Sequence, residues 1–141
     1  MARRRKYKQK RPPRHGSFRI QMEVILDDYP EEVKAATYEA MDKVSEEAVQ
    51  MLKSKSPKGK NTRHPGRYAE GWTYEKRLDY NVIYNATDYQ LTHLLEYGHA
   101  VEPKPTHPGK KSRVEGISHI KPVEEWANAE FLKETERILS S

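Results

Sequence analysis

The first interpretable pattern along the chain is an alternation of hydrophobic and polar positions between residues 18 and 26. The polar side chains Arg19, Gln21 and Glu23 separate hydrophobic ones, and the hydrophobic set is Phe18, Ile20, Met22, Val24 and Leu26. A period of two residues is typical of a strand with one buried face. The pattern therefore predicts a strand over residues 18–26.

Hydrophobic residues next recur at helical spacing in two long segments. The first spans about residues 30–53, where Pro30 suits the first turn of a helix. The second begins near Pro122 and continues to about Leu139. We predict a core-facing helix in each. The expected buried stripes are Val33, Ala36, Thr37, Ala40, Val44, Ala48, Met51 and Leu52 in the first helix, and Val123, Trp126, Ala127, Phe131 and Ile138 in the second.

Two further elements are predicted between the helices. Alternating residues in 72–77 and 80–85 flank Leu78-Asp79 and indicate a β-hairpin. Thr87 and Gln90 have the spacing of a capping box, which predicts a short helix of about ten residues. Gly98 can end that helix in the left-handed conformation. Its expected buried edge is Leu91, Leu94 and Leu95.

These elements predict an α+β fold, with a small antiparallel or mixed sheet packed against a long N-terminal helix and a C-terminal helix. The chain has 141 residues, a length typical of one domain. We expect a single α+β domain over residues 17–141. Residues 1–16 contain few hydrophobic side chains, so we expect them to form a disordered arm.

Charge is divided unevenly along the chain. The net charge is +5, but the first 16 residues carry eight basic side chains and no acidic one. Without those eight, 18 of the 26 basic residues remain against 21 acidic ones. The arm is therefore a candidate for contact with DNA phosphates or an acidic partner. Its basic residues are Arg3, Arg4, Arg5, Lys6, Lys8, Lys10, Arg11 and Arg14.

Two internal segments, residues 54–65 and 101–118, are rich in proline, glycine and basic residues, and we predict loops there. A loop as long as the second is usually functional or disordered. The first contains a Lys-Gly-Lys run, but its spacing is not that of a nucleotide-binding loop. Both are candidate partner-contact loops through Lys55, Lys58, Lys60, Arg63, Lys104, Lys110, Lys111 and Arg113.

Catalytic, metal and cofactor motifs are missing from the sequence. The absence of cysteine excludes disulfides and thiolate metal sites. His93 and His99 bracket Glu96 without the spacing of a zinc-binding motif. There is neither a nucleophile motif nor a glycine-rich dinucleotide fingerprint. We therefore predict a non-enzymatic protein with no catalytic residues, metal or cofactor. No hydrophobic run approaches the length of a membrane span, so no membrane partner is expected.

Three segments resemble a known protein family. They are S-P-K followed by G-R-Y-A-E-G-W within residues 56–72, Y-N-A-T-D-Y-Q-L-T-H-L-L-E-Y-G-H-A at 84–100, and G-I-S-H-I-K-P-V-E-E-W at 116–126. Together they are similar to the Hong Kong 97-type head–tail joining family of long-tailed bacteriophages, also called neck or tail-component proteins. The resemblance covers roughly Val33 to Leu139, and residues 84–100 are its most specific part.

The resemblance implies a structural virion protein. It would form a homo-oligomeric ring around the DNA channel, between the portal-capped head and the tail. Its partners would be adjacent connector and tail proteins and the genomic DNA, and it would reside in the host cytoplasm during assembly. The two basic loops would then reach the rings above and below. The alternative from the residues themselves is a nucleic-acid-binding protein that acts through its basic N-terminal arm.

Overall fold

The computed structural model describes residues 15–59, 63–103, 109 and 112–141 and has an α+β fold. Its order is strand, long helix, short helix, hairpin, short helix, a second hairpin and a final helix. The elements are β1 (Phe18–Gln21), α1 (Glu31–Lys55), α2 (Arg67–Glu70), β2 (Trp72–Lys76), β3 (Tyr80–Asn85), α3 (Thr92–Tyr97), β4 (Gly98–Val101), β5 (Ser112–Glu115) and α4 (Ile120–Leu139).

The main sheet has three antiparallel strands in the order β1-β3-β2. The predicted hairpin is confirmed, with Tyr74 opposite Ile83 in its register. The first strand is shorter than predicted and ends at Gln21, which pairs with Tyr80. Beyond this point β3 has no further residue to pair with, because it begins at Tyr80, directly after the turn from β2. Burial nevertheless continues to alternate as far as Leu26. The hydrophobic alternation therefore reports side-chain burial over a longer segment than the paired strand.

The two long helices pack against each other and against the sheet, as predicted. Helix α1 begins after Pro30, whose ring fixes a backbone angle compatible with a helix start. The first turns of α1 and the last turns of α4 line one groove, so the two helices run antiparallel. The core contains side chains from both helices and from the sheet. Its fully buried large members include Met41, Leu52, Trp72, Ile83 and Val123.

The sheet turns two asparagines toward α1. Asn81 and Asn85 are fully buried on the same sheet face as Ile83, whereas Tyr80 and Tyr84 lie on the opposite face. The Nδ2 group of Asn81 donates to Asp42 at 3.0 Å and to Ser45 at 2.8 Å, both on α1. These bonds satisfy the buried amide, which would otherwise destabilise the fold.

The capping box predicted at Thr87 is wrong. A single 3₁₀ turn, Tyr89–Leu91, precedes α3, and no side chain caps either element. The carboxamide oxygen of Asn85 instead accepts the backbone N–H groups of Thr87 and Asp88, at 3.2 and 2.8 Å. The Thr87 hydroxyl also donates to Asn85. A buried strand residue thus holds the turn that precedes the 3₁₀ segment.

The predicted hydrophobic edge of that helix is also wrong in part. Leu91 and Leu94 are 41% and 39% exposed, and only Leu95 packs against the core. The buried positions of α3 are Thr92 and Glu96. This inversion arises because the face toward the protein meets polar groups, as described below for Glu96.

The second segment predicted as a loop contains a hairpin. Strands β4 and β5 pair antiparallel, with His99 opposite Val114 and Val101 opposite Ser112. Gly98 ends α3, as predicted, and its N–H donates to the carbonyl oxygen of Leu94, but its φ of 80° is combined with an extended ψ of 177° instead of the left-handed helical conformation, so the chain continues directly into β4. We call this two-stranded element, Gly98–Val101 with Ser112–Glu115, the ribbon.

Within the described part of the chain, no helix is long and apolar enough to cross a membrane. Several sequence predictions fall outside the described residues. They concern the basic side chains of residues 1–14, together with Lys60, Lys104, Lys110 and Lys111. His15 and Gly16, which the sequence placed in the arm, lie against the body. The His15 ring stacks on Tyr89, and Gly16 adjoins Thr92.

Candidate functional site

The most concentrated polar chemistry in the described structure is a buried carboxylate at the start of α4. The side chain of Glu96 accepts the backbone N–H groups of His119 at 2.6 Å, Ile120 at 2.8 Å and Lys121 at 3.1 Å. These donors belong to the first turn of α4, where helix N–H groups have no partner within the helix. Glu96 therefore caps a helix that begins 24 residues later in the chain.

A histidine and a tyrosine extend this network into the core. Tyr68 Oη lies 2.7 Å from His119 Nε2, and His119 Nδ1 lies 2.9 Å from Glu96. Burial raises the pKa of the Tyr68 hydroxyl, and the negative charges of Glu96 and Asp88 raise it further. The hydroxyl thus keeps its proton and can donate it to Nε2. The ring then carries its own proton on Nδ1, which faces Glu96 and the carbonyl oxygen of Ile117.

The network has the residue types of a catalytic triad, and its central histidine has no exposed surface. His119 is fully buried, and both Glu96 and Tyr68 are less than a tenth exposed. The Trp72 ring meets His119 edge to face, with its indole N–H donating to Ser56 Oγ at 2.8 Å. Every group is thus held by another part of the fold. The arrangement fixes α3, α2 and the start of α4 relative to one another.

A second feature is a cavity of about 250 Å³ beside the first predicted loop. Lys58, Arg63, His64 and Arg67 line it, together with Asp88 and the apolar side chains of Pro57, Tyr68, Leu91 and Leu95. Arg67 Nε lies 3.4 Å from Asp88, so that carboxylate offsets part of the positive charge. We call this cavity the basic pocket. Its mixture of cations and apolar surface suits an acidic or phosphate-bearing partner better than a metal.

The predicted contact residues within the described structure do not all gather in one place. Lys58 and Arg63 line the basic pocket, whereas Lys55 is exposed at the end of α1. Arg113 lies on the exposed strand β5, in another part of the molecule. Two of the four described loop cations therefore come together, and the other two do not.

Sequence analysis missed the residues of the buried network. Glu96 was considered only for a zinc motif with His93 and His99, and no role was predicted for His119 or Tyr68. The two flanking histidines do not join Glu96 in a metal-binding cluster among the described residues. His93 is exposed, and its ring lies against Tyr97 with 4.8 Å between the ring centroids. A usable signal did exist. Glu96 follows three leucines on a short helix, and the pattern there did not require an exposed carboxylate.

No three acidic or histidine side chains in the described ranges are placed as metal ligands would be. Comparisons with known proteins returned no matching family model, no matching curated protein and no matching solved structure.

Proposed function

We propose that this protein is a non-enzymatic structural component of a tailed bacteriophage virion. It would be a connector ring that joins the portal-capped head to the tail around the DNA channel. Several copies would form the ring, which would contact adjacent connector and tail proteins. The proposal combines the sequence resemblance with the roles that the motif residues have in the fold.

The observation that carries the proposal is the contact between two of the resembling segments. Glu96 belongs to the L-L-E-Y-G-H-A run, and His119 and Ile120 belong to the H-I-K-P run. The carboxylate of the first accepts the backbone N–H groups of the second. These motif residues thus join two distant segments of the fold. This supports a role in which the surface, and not an active site, performs the function.

The distribution of exposed groups also supports this role. The basic pocket opens on the side of α2, and the ribbon exposes Val101 and Val114 to solvent. Surfaces of these two kinds are suited to different partners, since the pocket is cationic and the ribbon is partly apolar. A connector ring needs at least two distinct surfaces, because it contacts both its own copies and its neighbours along the channel.

The proposal is tested by removing the protein from the phage that encodes it. With the gene interrupted by a stop codon, we expect DNA-filled heads and finished tails to accumulate separately. Electron microscopy of the lysate and plaque counts measure the effect. Supplying the full chain from a plasmid should restore joined particles, and a chain truncated before α4 should not. Normal numbers of joined, infectious particles without the protein would refute the proposal.

A nucleic-acid-binding role remains the second candidate, and one observation favours it. Eight basic residues lie in the first 14 positions, and no acidic residue lies among them. DNA binding through such a segment depends strongly on salt, since each phosphate contact releases counterions. Deletion of residues 1–14 separates this role from head–tail joining.

A further inference from the structure

A β-turn just before α1 presents two acidic side chains to solvent. The backbone N–H of Tyr29 donates to the carbonyl oxygen of Leu26 at 3.0 Å, which closes the turn. Asp27 and Asp28 occupy its two central positions and are both exposed, whereas Leu26 is buried and anchors the turn to the body. Neither aspartate forms a salt bridge within the ranges that the structure describes. Their negative charge is therefore available to a partner.

The same segment carries an exposed apolar side chain. Ile25 is 80% exposed, the largest fraction among the bulky apolar side chains of the described residues. One such side chain alone is common on protein surfaces. Here, however, residues 23–29 combine it with Glu23, Asp27 and Asp28 and contain no basic residue. We call residues 23–29 the acidic turn, which presents one apolar anchor among negative charges.

The basic pocket has the opposite charge. Three cations, Lys58, Arg63 and Arg67, line it against one carboxylate, that of Asp88. Asp88 lies 3.4 Å from Arg67 and so offsets one of these charges. Arg63 forms no salt bridge with another described residue, and the Lys58 ammonium donates to a neutral group, the backbone carbonyl of Lys53. The pocket therefore keeps an excess of positive charge.

The basic pocket also has an apolar part. Pro57, Leu91 and Leu95 line it, and Leu91 is 41% exposed. The pocket volume of about 250 Å³ is sufficient for an isoleucine side chain. An apolar side chain flanked by carboxylates therefore matches both parts of the pocket, since it buries apolar surface and places negative charge beside the cations.

The acidic turn and the basic pocket lie at opposite ends of α1. The turn directly precedes this helix, whereas Pro57 and Lys58 of the pocket follow its last residue, Lys55. With 25 residues and a rise of 1.5 Å per residue, α1 is roughly 37 Å long. The turn therefore cannot enter the pocket of its own chain, but two copies can make the contact head to tail. A heterologous contact of this kind produces a closed ring when the rotation between copies permits it.

We propose that the acidic turn of one copy binds in the basic pocket of the next copy. Ile25 packs against Leu91 and Leu95, and Asp27 and Asp28 face the cations of the pocket. This inference rests on the proposed function, which requires a ring, and it adds which two surfaces close that ring.

Engineered cysteines test this contact directly, because the natural chain contains none. The double variant Ile25→Cys/Leu91→Cys is oxidised in the full chain at assembling concentrations and in purified particles, then separated without reductant. We expect a ladder of covalent multimers that ends at the size of the ring. Either single variant should give no species larger than a dimer.

Two matched controls locate the contact. Leu132 is another exposed apolar residue, on α4, and Glu47 is an exposed residue of α1 that does not line the pocket. Moving the first cysteine from Ile25 to Leu132, or the second from Leu91 to Glu47, should remove the ladder. A ladder of equal yield in either control would overturn the proposal. So would the absence of a ladder in both samples, or efficient dimers from Ile25→Cys alone, which would indicate a contact between two acidic turns.

Charge reversal in the same cysteine background tests the electrostatic part of the contact. The four positions used are exposed, so the substitutions leave the core intact. Like charges that face each other across an interface are unfavourable, so Lys58→Glu/Arg63→Glu should lower the ladder yield by about tenfold or more. Asp27→Lys/Asp28→Lys should have the same effect. Combining both pairs should restore most of the yield, because opposite charges then face each other again.

The reversal also reveals a different occupant of the pocket. If the substitutions in the pocket lowered the yield but those in the acidic turn did not, the pocket would bind some other acidic group and the proposal would be wrong. A combined variant no better than either pair would lead to the same conclusion.

The outcomes further separate this inference from the proposed function. If the gene is needed for joining but the cysteine pair does not cross-link, the connector role stands and the contact between turn and pocket fails. If the ladder forms but phage lacking the protein still join heads to tails, the contact stands and the connector role fails.

Discussion

At the residue scale, Glu96 shows how a buried carboxylate can hold distant segments together. Burying a charge is unfavourable unless hydrogen bonds replace the lost water. Here, burial raises the pKa of Glu96, but the backbone N–H groups of His119, Ile120 and Lys121 outweigh it, so the pKa lies below its ordinary value. The positive end of the α4 dipole acts in the same direction. The ionised form is thus the one that the fold stabilises.

We predict that Glu96→Gln destabilises the protein at neutral pH by about 1–3 kcal/mol, since the amide keeps one acceptor but turns an N–H donor toward other donors. A carboxyl group whose pKa is lowered by folding stabilises the fold fully at pH values above its pKa in the unfolded chain. This stabilisation is lost as the pH falls through its pKa in the folded protein. The difference from wild type should therefore be full above about pH 5, and shrink as pH falls below the ordinary value of 4.5. Urea unfolding at neutral pH and at a pH below 4.5 measures this difference in the free energy of unfolding.

Glu124, on the helix that Glu96 caps, provides the matched control. Burial and the charge of Glu125 raise its pKa, so its ionised form is disfavoured in the fold. Glu124→Gln should leave stability at neutral pH unchanged or slightly increased. If Glu96→Gln behaved like Glu124→Gln, or if its effect grew at low pH, the capping role of Glu96 would be wrong.

At the scale of elements, the junction between α3 and β4 depends on a backbone conformation that only glycine adopts readily. Gly98 combines a φ of 80° with an extended ψ of 177°, a region essentially restricted to glycine. A Cβ atom there would lie 2.3 Å from the backbone oxygen of Val114 and 2.7 Å from the backbone nitrogen of Gly116. The close approach of the two ribbon strands is therefore possible only without a side chain.

Gly98→Ala is predicted to cost more than about 3 kcal/mol, because conformational strain and a backbone clash add together. Gly66→Ala is the matched comparison, since Gly66 has a similar φ of 82° but no neighbouring atom within 4 Å. Its cost should be about 1–2 kcal/mol, from the left-handed conformation alone. Denaturant unfolding of both variants gives the difference. Equal costs would show that the ribbon strands can separate without loss of stability.

At the scale of the whole molecule, positive charge is concentrated in the first 14 residues and around the basic pocket. Without the eight basic residues of that segment, the chain has 18 basic residues against 21 acidic ones. A segment with many charges and few apolar side chains cannot bury enough apolar surface to stabilise the fold. Such a segment contributes mainly by binding partners. Its removal therefore tests function without testing the fold.

We predict that deletion of residues 1–14 leaves the free energy of unfolding unchanged within about 0.5 kcal/mol. Affinity for duplex DNA should fall, and the slope of log affinity against log salt should decrease by up to about 7, the value for eight phosphate contacts. Fluorescence titrations across a salt series measure both. Replacing the eight basic residues by glutamine at constant length separates charge from chain length.

The same deletion distinguishes the two candidate functions. If the deleted protein no longer binds DNA but still supports head–tail joining, DNA contact is dispensable for the connector role. If joining fails while ring formation persists, the arm has its essential contact outside the ring. If the deletion changes neither DNA binding nor joining, the arm is wrongly identified as a contact segment.

Much of the fold could be predicted because its strongest signals are local. The stripe on α1 and that on α4 have a helical period, and the hairpin 72–85 alternates around a two-residue turn. Local periodicity reports which residues of one element share a face. It correctly predicted the two long helices and the three-stranded sheet elements, and it correctly placed Pro122 in the first turn of α4.

The errors occurred where a polar group is satisfied by a distant partner. Leu91 and Leu94 were expected to be buried, but Glu96 is buried instead, because its hydrogen-bond donors belong to residues more than twenty positions away. Likewise, the turn after β3 is held by Asn85 and not by a capping box at Thr87, because the strand brings its carboxamide to that turn. Short elements have too few residues for a period to decide which face is buried.

By itself, the sequence determined the α+β class, the long helices, the main hairpin, the absence of thiol chemistry and the concentration of charge at the N-terminus. All follow from composition or from periods of two and 3.6 residues, which are properties of neighbouring positions. Only the tertiary structure decided that Glu96 caps α4, that His119 and Tyr68 are buried beside it, and that residues 98–115 contain a ribbon. The reason is physical, since burying a polar group depends on which partner the folded chain brings to it.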